Sequence, residues 1–344
     1  MFKKIKFLYK KLFWRLKIKF FKIIKYINVF KKNKNTVSWG IIGTGYMANY
    51  LTSILKCDYN SNVISVASRN INKARKFAKK HKIKNYYGSH IEMLQDINLD
   101  LDIVYIATPV ESHYEYIKTC LKNNKNVLCE KPLVMSVSQF DEVSKLAKDN
   151  GCFLMEAMWT NCLPTIKAAK SWIDEGEIGE INLIRADIHK VNNKKTGVLY
   201  DFGIYNFAFI SNFDKDDTEI ISSYKREINS RKDTDWFLHL KSVNNVDSLI
   251  SLSSNFSASS NAAVIGTKGT IVFNSPFNRT NIVELYNSDG VLLSKRKFNY
   301  RFDGFEYQIK EVVQSINNSF LESKKAPLSM TKFCVDLLEK TFRD

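Results

Sequence analysis

The stretch "GIIGTGYMANY", residues 40–50, sets Gly43, Gly45 and Ala48 inside an apolar run, and no other segment limits the fold as much. A buried strand ending in such a turn hands the chain to a helix with little room for side chains. Gly43 allows the tight turn, Gly45 lets backbone N–H groups approach a pyrophosphate, and Ala48 is small enough for the helix to pack on the strand. The helix N-terminus then faces the negative charge. The same turn also serves as a plain strand-to-helix connection, and Ala48 replaces the usual third glycine, so the rest of the chain has to decide.

The flanking pattern favours a nucleotide fold. "VSWGIIG" (37–43) reads as a buried strand, "YMANYLTSILK" as the helix after the turn, and "NVISVAS" (62–68) as the second parallel strand. That second strand ends Ser68-Arg69-Asn70 where NAD sites often carry Asp or Glu for the ribose 2′-hydroxyl. A carboxylate repels a 2′-phosphate, whereas a hydroxyl and a guanidinium hold one, so NADP is favoured over NAD. Arg69 also reads as a surface residue opening the next helix. Residues 101–133 repeat strand, turn, helix and strand, the alternation of a parallel sheet. Their strands end in "ATP" (107–109) and "EKP" (130–132), which puts Lys131 where open parallel sheets bind ligands.

Charge sits almost wholly at one end. The formal net charge is +17, but residues 1–35 hold 13 Lys and Arg and no acid, leaving +4 on residues 36–344. The body is therefore not charged like a nucleic-acid binder. In the basic segment Phe2, Ile5, Tyr9, Leu12, Leu16, Phe20, Ile23, Ile27 and Phe30 recur at spacings of three and four, one stripe of a helix with most lysines on the remaining arc. Lysines interrupt it too often for a transmembrane span, and it lacks the form of a secretory signal. A membrane-surface helix drawn to anionic lipid is the favoured reading; a partner-binding helix, a solvated charge run or an untranslated extension are the others. "KKNKNT" (31–36) links it to the body. The six cysteines, among them Cys57, Cys120, Cys129 and Cys152, show no metal-type spacing; most sit in apolar runs, as suits a reducing cytoplasm, and no metal is expected.

From about residue 37 almost to the C-terminus, the chain resembles the Gfo/Idh/MocA oxidoreductases, in particular their dihydrodiol dehydrogenase-like branch. The pieces that carry the resemblance come in the family's order: "GIIGTGYMA", "VASRN", "DIVYIATPVESH", "CLKNNKNVLCEKPL", "LMEAMWT", "IGEINLIRADI", "YDFGIY", "AVIGTKGTIVF" and "GFEYQIKEVV". The resemblance implies an α/β chain: a Rossmann domain over 36–155 and a C-terminal α/β domain over 156–344 with a large, open, mostly antiparallel sheet that commonly mediates dimerisation. The β-rich segments "INLIRADIH", "EIISSYKREI", "DTDWFLHLKS", "DSLISLSSNF" and "GTIVFN" agree with that sheet. It further implies NADP, or alternatively NAD, held by Gly43, Gly45, Tyr46, Met47, Ala48, Ser68, Arg69, Thr108, Pro109, His113, Glu130, Lys131 and Trp159. His113 is better suited to packing or hydrogen bonding than to base catalysis.

For the chemistry, Asp201 and Tyr205 are four apart in "LYDFGIYNF" and share one face of a helix. The resemblance implies that this face meets Lys131 beside the nicotinamide. Hydride transfer at an alcohol carbon needs proton transfer at its oxygen, which a tyrosine can perform, and a neighbouring ammonium favours the phenolate. Lys131 is also able to hydrogen-bond the substrate oxygen, with Asp201 positioning hydroxyls or tuning the pair. Tyr205 equally suits the core of an apolar helix.

Two departures bear on the substrate. Asn161 and Cys162 stand where close relatives carry Arg-Phe, and the stretch between "RADIHK" and "YDFGIY" lacks the longer Gly-rich loop usual there. Two functions follow: an oxidoreductase acting on a secondary alcohol or carbonyl of a sugar, nucleotide-sugar or cyclic diol, or a non-enzymatic NAD(P)-binding protein recruited by its tail to a membrane or protein partner.

Overall fold

The computed structural model describes Trp14, residues 16–18, and residues 36–191, 197–228 and 231–343. Of the apolar stripe read in residues 1–35, only Leu16 is among them; the rest of that stripe, and residues 192–196 between "RADIHK" and "YDFGIY", lie outside the described residues. The chain divides into two compact units, each assembled from several segments. The first holds residues 1–130, 143–155 and 309–323, the second residues 131–142, 156–308 and 324–344.

The first unit is built on a six-stranded sheet of order β3-β2-β1-β4-β5-β6. The strands are β1 (Val37–Ile42), β2 (Ser61–Ala67), β3 (Asn85–Tyr87), β4 (Ile103–Ile106), β5 (Asn126–Cys129) and β6 (Leu154–Glu156). The ladders from β3 through β5 are parallel. β1, β4 and β5 are apolar on both faces and almost wholly buried, as parallel strands covered by helices must be. Crossovers run through α1 (Tyr46–Leu55), α2 (Ile71–His81), α3 (His90–Gln95) and α4 (His113–Lys122). Helix starts follow local chemistry: Asn70 caps α2 by accepting from the Asn72 and Lys73 N–H groups, and Ser89 caps α3, whereas α1 starts at Gly45 with no side-chain cap. The strand order reverses between β1 and β4, which is the Rossmann arrangement expected from the sequence.

α5 (Val137–Asp149) is followed by α6 (Pro164–Asp174), which starts with Pro164 at its first helical position. The second unit carries an eight-stranded sheet of order β14-β13-β12-β11-β7-β10-β9-β8. Its strands are β7 (Ile181–His189), β8 (Thr218–Ile228), β9 (Arg231–Ser242), β10 (Asp247–Ser253), β11 (Ala262–Gly266), β12 (Gly269–Phe273), β13 (Ile282–Asn287) and β14 (Leu292–Lys297). Every ladder is antiparallel except β7 with β10. The mostly antiparallel sheet expected from the resemblance is therefore present. The β13–β14 hairpin, its turn at "NSDG", is an addition to the strands read from the sequence. Behind the sheet run α7 (Ile204–Ile210) and α9 (Leu328–Arg343), while α8 (Phe305–Asn317) passes from one unit's segments to the other's. A buried carboxylate ties β8, β9 and β10 together: Asp235 accepts from Arg226 Nε (2.7 Å), Ser253 Oγ (2.6 Å) and Asn255 Nδ2 (2.9 Å).

Among the described residues, no helix is long and apolar enough to cross a membrane. The six cysteines are free and buried. Where the N-terminal extension is described, it contacts α1 and the turn that follows it. The Trp14 ring stacks on Tyr50 (centroids 4.7 Å apart), and the Cys57 thiol donates to the Ile18 carbonyl oxygen (3.6 Å), while Leu16 is 58% exposed.

Candidate active site

A cavity of about 550 Å³ opens in the first unit at the carboxyl ends of β1, β2 and β4, where the strand order reverses. The turns at residues 43–45, 67–70 and 107–109 line it. Gly43 and Gly45 serve it for different reasons. Gly43 has φ +109°, and a Cβ there would lie 2.4 Å from the Ala107 carbonyl oxygen, so the protein's own backbone demands glycine. Gly45 has an ordinary φ of −73°, and a Cβ there would meet nothing within 4 Å. Its missing side chain leaves room in the cavity beside the uncapped start of α1. That is the cradle a pyrophosphate requires, and the residues present fit a dinucleotide.

The remaining lining separates by chemistry. Arg69, Lys73, Lys76 and Lys80 face the cavity and no carboxylate does. Phe77, His90 and Tyr116 supply ring surface, His90 lying edge-on to Tyr116 with centroids 4.5 Å apart. Burial holds the His90 imidazole below its ordinary range, so it is neutral at neutral pH.

Of the expected cofactor residues, Gly43, Gly45, Ser68, Arg69, Thr108 and Pro109 line this cavity. Tyr46 points outward and is 79% exposed, Met47 is half-buried, and Ala48 is fully buried, as its small size anticipated. His113 is also buried; its Nε2 lies 2.9 Å from the Thr108 carbonyl oxygen, and because a carbonyl only accepts, the ring donates and steadies that turn. Glu130 accepts a very short bond from the Tyr105 hydroxyl, and its N–H donates to the Ile106 carbonyl (2.9 Å).

The other expected residues belong to the second unit. Asp201 lies in a π-helical turn, Leu199–Gly203, that runs straight into α7, and the Ile204 N–H reaches back to the Leu199 carbonyl. Such wide turns inside helices are frequent at functional sites. The Lys131 ammonium donates to the Asp201 carbonyl oxygen (2.7 Å) and lies 3.7 Å from its carboxylate, both side chains being 13% exposed. The same ammonium sits over the Tyr205 ring, 4.8 Å from its centroid. Tyr205 is half-buried, and among the described residues its hydroxyl has no hydrogen-bond partner. Lys131, Asp201 and Tyr205 are thus one cluster. Trp159 is buried and stacked on Phe305 (4.3 Å). Asn161 is buried as well, its Oδ1 accepting from Asn212 Nδ2 (2.9 Å), so this amide serves the interior of the second unit.

Comparison with known proteins decides the family. The family described as "Oxidoreductase family, NAD-binding Rossmann fold" (GFO_IDH_MocA) matches residues 37–158. The trans-1,2-dihydrobenzene-1,2-diol dehydrogenase of Macaca fascicularis is 30% identical over 321 residues, spanning 89% of this chain and 96% of that relative. The chain belongs to the Gfo/Idh/MocA oxidoreductase family. The Bos taurus dihydrodiol dehydrogenase matches equally, 30% identical over 319 residues, 88% of this chain and 95% of the relative. Among solved structures, the Actinomadura kijaniata 3-ketoreductase in complex with NADP and TDP-benzene has a TM-score of 0.78 at 21% identity, covering 90% of this chain and 97% of that one. An NAD-binding oxidoreductase from Klebsiella pneumoniae reaches 0.79 at 18% identity, covering 90% and 98%. These structural likenesses speak for the fold.

For this Gfo/Idh/MocA member, the sequence reading passed over Thr44, Asn49, Lys73, Lys76 and Lys80. The signal was present: Arg69, Lys73, Lys76 and Lys80 recur at spacings of four, three and four, the three lysines on one face of α2 and Arg69 just ahead of its Asn70 cap. Among the described residues, no group of His, Cys, Asp and Glu could hold a metal ion.

The two glycines should separate in experiment. Gly43→Ala should cost about 2 kcal/mol or more of stability, read as a lowered unfolding midpoint, because strain and a backbone clash combine. Gly45→Ala should leave that midpoint nearly unchanged while sharply weakening NAD(P)H binding, followed by nicotinamide fluorescence.

Proposed function

We propose that this protein is an NADP-preferring oxidoreductase that interconverts a secondary alcohol and a carbonyl on a sugar, nucleotide-sugar or cyclic diol. The observation that carries the proposal is the Lys131–Asp201–Tyr205 cluster, with its half-buried phenol free of hydrogen-bond partners among the described residues. Relatives named for a cyclic diol and for a keto group support the substrate class. When bound, a nicotinamide dinucleotide supplies or accepts the hydride. The chain's own task is the proton. In reduction the Tyr205 hydroxyl donates its proton to the substrate oxygen; in oxidation the phenolate takes it back. Lys131, held by the carbonyl and carboxylate oxygens of Asp201, stabilises charge on the reacting oxygen. Retention of all three residues runs against a binding protein without turnover.

The basic, carboxylate-free cavity supports NADP over NAD, with Ser68 and Arg69 as readers of the 2′-phosphate. Arg69→Ala should weaken NADPH by a charge-assisted contact, roughly 1.5–3 kcal/mol, and NADH far less. Equal losses in parallel titrations would take Arg69 out of that role.

Lys131→Ala and Tyr205→Phe should each lower turnover by about 10²–10⁴-fold with folding retained. The double variant should be little worse than either single one, because one proton-handling unit is broken. A fully active Tyr205→Phe enzyme would remove the tyrosine from the reaction.

Two surfaces complete the proposal. On the sheet of the second unit, Tyr224, Phe237 and Leu249 stand exposed together over a shallow depression of about 360 Å³, and a second copy of the chain is the partner we assign to it. Residues 1–35 we assign to an anionic, cytoplasmic membrane surface, as suits an enzyme of lipid-linked or surface saccharide assembly. Trp14 stacks on Tyr50 of α1 and Ile18 accepts from Cys57 just beyond it, while stripe residue Leu16 remains exposed and open to lipid. Each basic residue near such a surface contributes about 1 kcal/mol. The full chain should therefore pellet with anionic vesicles at low salt and be released by salt, and deleting residues 1–35 should abolish pelleting without changing NADPH binding or the dimer mass. Phe237→Glu should yield a monomer by sedimentation. Full-length protein left in the supernatant, or a wild-type monomer, would each sink the corresponding assignment.

A further inference from the structure

We propose that Asn49 is the positioning residue of the dinucleotide turn, holding its carbonyls so that the turn offers a pyrophosphate only donors. The inference rests on reading the first-unit cavity as the dinucleotide site.

Asn49 lies one turn into α1 and lines the cavity. Its Nδ2 donates twice, to the carbonyl oxygens of Thr44 (3.0 Å) and Gly45 (2.8 Å). Its Oδ1 accepts twice, from Lys80 Nζ (2.5 Å) and His81 Nε2 (3.0 Å). An amide oxygen cannot donate, so His81 carries its hydrogen on Nε2 in this contact. Both amide hydrogens and both lone pairs are used, which makes the residue type specific. Asp has no donors, Gln is a methylene longer, and Leu has no polar atoms.

The need for such a residue follows from the turn itself. A glycine-rich turn has few side chains with which to satisfy its own carbonyl groups, and carbonyl dipoles directed at a pyrophosphate repel it. Asn49 occupies the Thr44 carbonyl and adds a second donor to the Gly45 carbonyl, which also accepts from the Asn49 backbone N–H (3.0 Å). Asparagine is otherwise disfavoured inside a helix because its amide competes for the backbone. Here that competition is the function, directed at the two carbonyls that precede α1. The same amide ties the turn to the last turn of α2, where His81 is buried against Phe77 (centroids 4.5 Å), itself a wall of the cavity. Lys80 thereby serves the pyrophosphate end through Asn49, whereas Arg69 precedes the same helix at its far end.

The role predicts a selective loss. Full-length wild-type protein and its Asn49→Ala variant are titrated with NADPH, NADH, ADP and adenosine 2′-monophosphate by calorimetry. The first three ligands carry a pyrophosphate and the last does not. Asn49→Ala should weaken the three by about tenfold each and leave adenosine 2′-monophosphate within about twofold. Asn49→Asp, which keeps acceptors for Lys80 and His81 but lacks both donors, should lose at least as much. Unchanged ADP binding in either variant would overturn the role, as would an equal loss for all four ligands, which marks general damage to the cavity. Wild-type protein that binds neither ADP nor either dinucleotide would overturn the underlying reading and the inference with it.

Discussion

Between Gly43 and Ala107 there is no space for a single methyl group. The chain leaves β1 with a positive φ, and the Ala107 carbonyl occupies the place a Cβ would take. Two turns at the point where the strand order reverses are thus set against each other by main chain alone. His113 holds the second turn from its buried side through the Thr108 carbonyl, and Asn49 holds the first through the carbonyls of Thr44 and Gly45. With geometry fixed by backbone and by neutral or satisfied polar groups, the charged residues of α2 are left to set the potential of the cavity. Shape and charge therefore come from different elements, and each can vary with little effect on the other.

The second unit solves a comparable problem with a charged side chain. Lys131 is largely buried, and an ammonium in that setting needs partners. The wide helical turn at Leu199–Gly203 supplies them by presenting one residue's carbonyl and carboxylate to the same ammonium. Tyr205, in the first turn of α7, then lies under that cation by ring face, not by hydroxyl. The phenol oxygen keeps its hydrogen-bonding capacity for another molecule.

Much of this was legible in the sequence because the deciding residues lie close together along it. The Gly turn, the buried runs that end in "ATP" and "EKP", and the Asp201–Tyr205 spacing are local patterns, and each maps onto one element. The β13–β14 hairpin escaped because the strands alternate only weakly: β14 is nearly all exposed, and its lysines read as solvated chain. The role of Asn49 was hidden for another reason. Its four partners come from two turns of chain more than thirty residues apart, Thr44 and Gly45 on one side and Lys80 and His81 on the other. Burial of Trp159 against Phe305 and of Asn161 against Asn212 is likewise a contact between distant segments, which no local pattern announces. The basic column of α2 was readable, but a helix of alternating lysines is usually a solvated face, and only the cavity beside it gives the column a direction.

The interleaving of the two units bears on how a ribosome delivers this protein. The first unit includes residues 309–323, and the Leu154 N–H at β6 donates to the Leu321 carbonyl (3.0 Å). A nascent chain that has emerged only as far as β6 already carries every strand of the first sheet, yet it lacks the segment that completes the unit. Vectorial synthesis usually lets an N-terminal domain fold early, but here one segment of the first unit comes after every strand of the second sheet. Until residues 309–323 are made, the Leu154 N–H has no Leu321 carbonyl to donate to, and the first unit is completed by a segment translated after all eight strands of the second sheet.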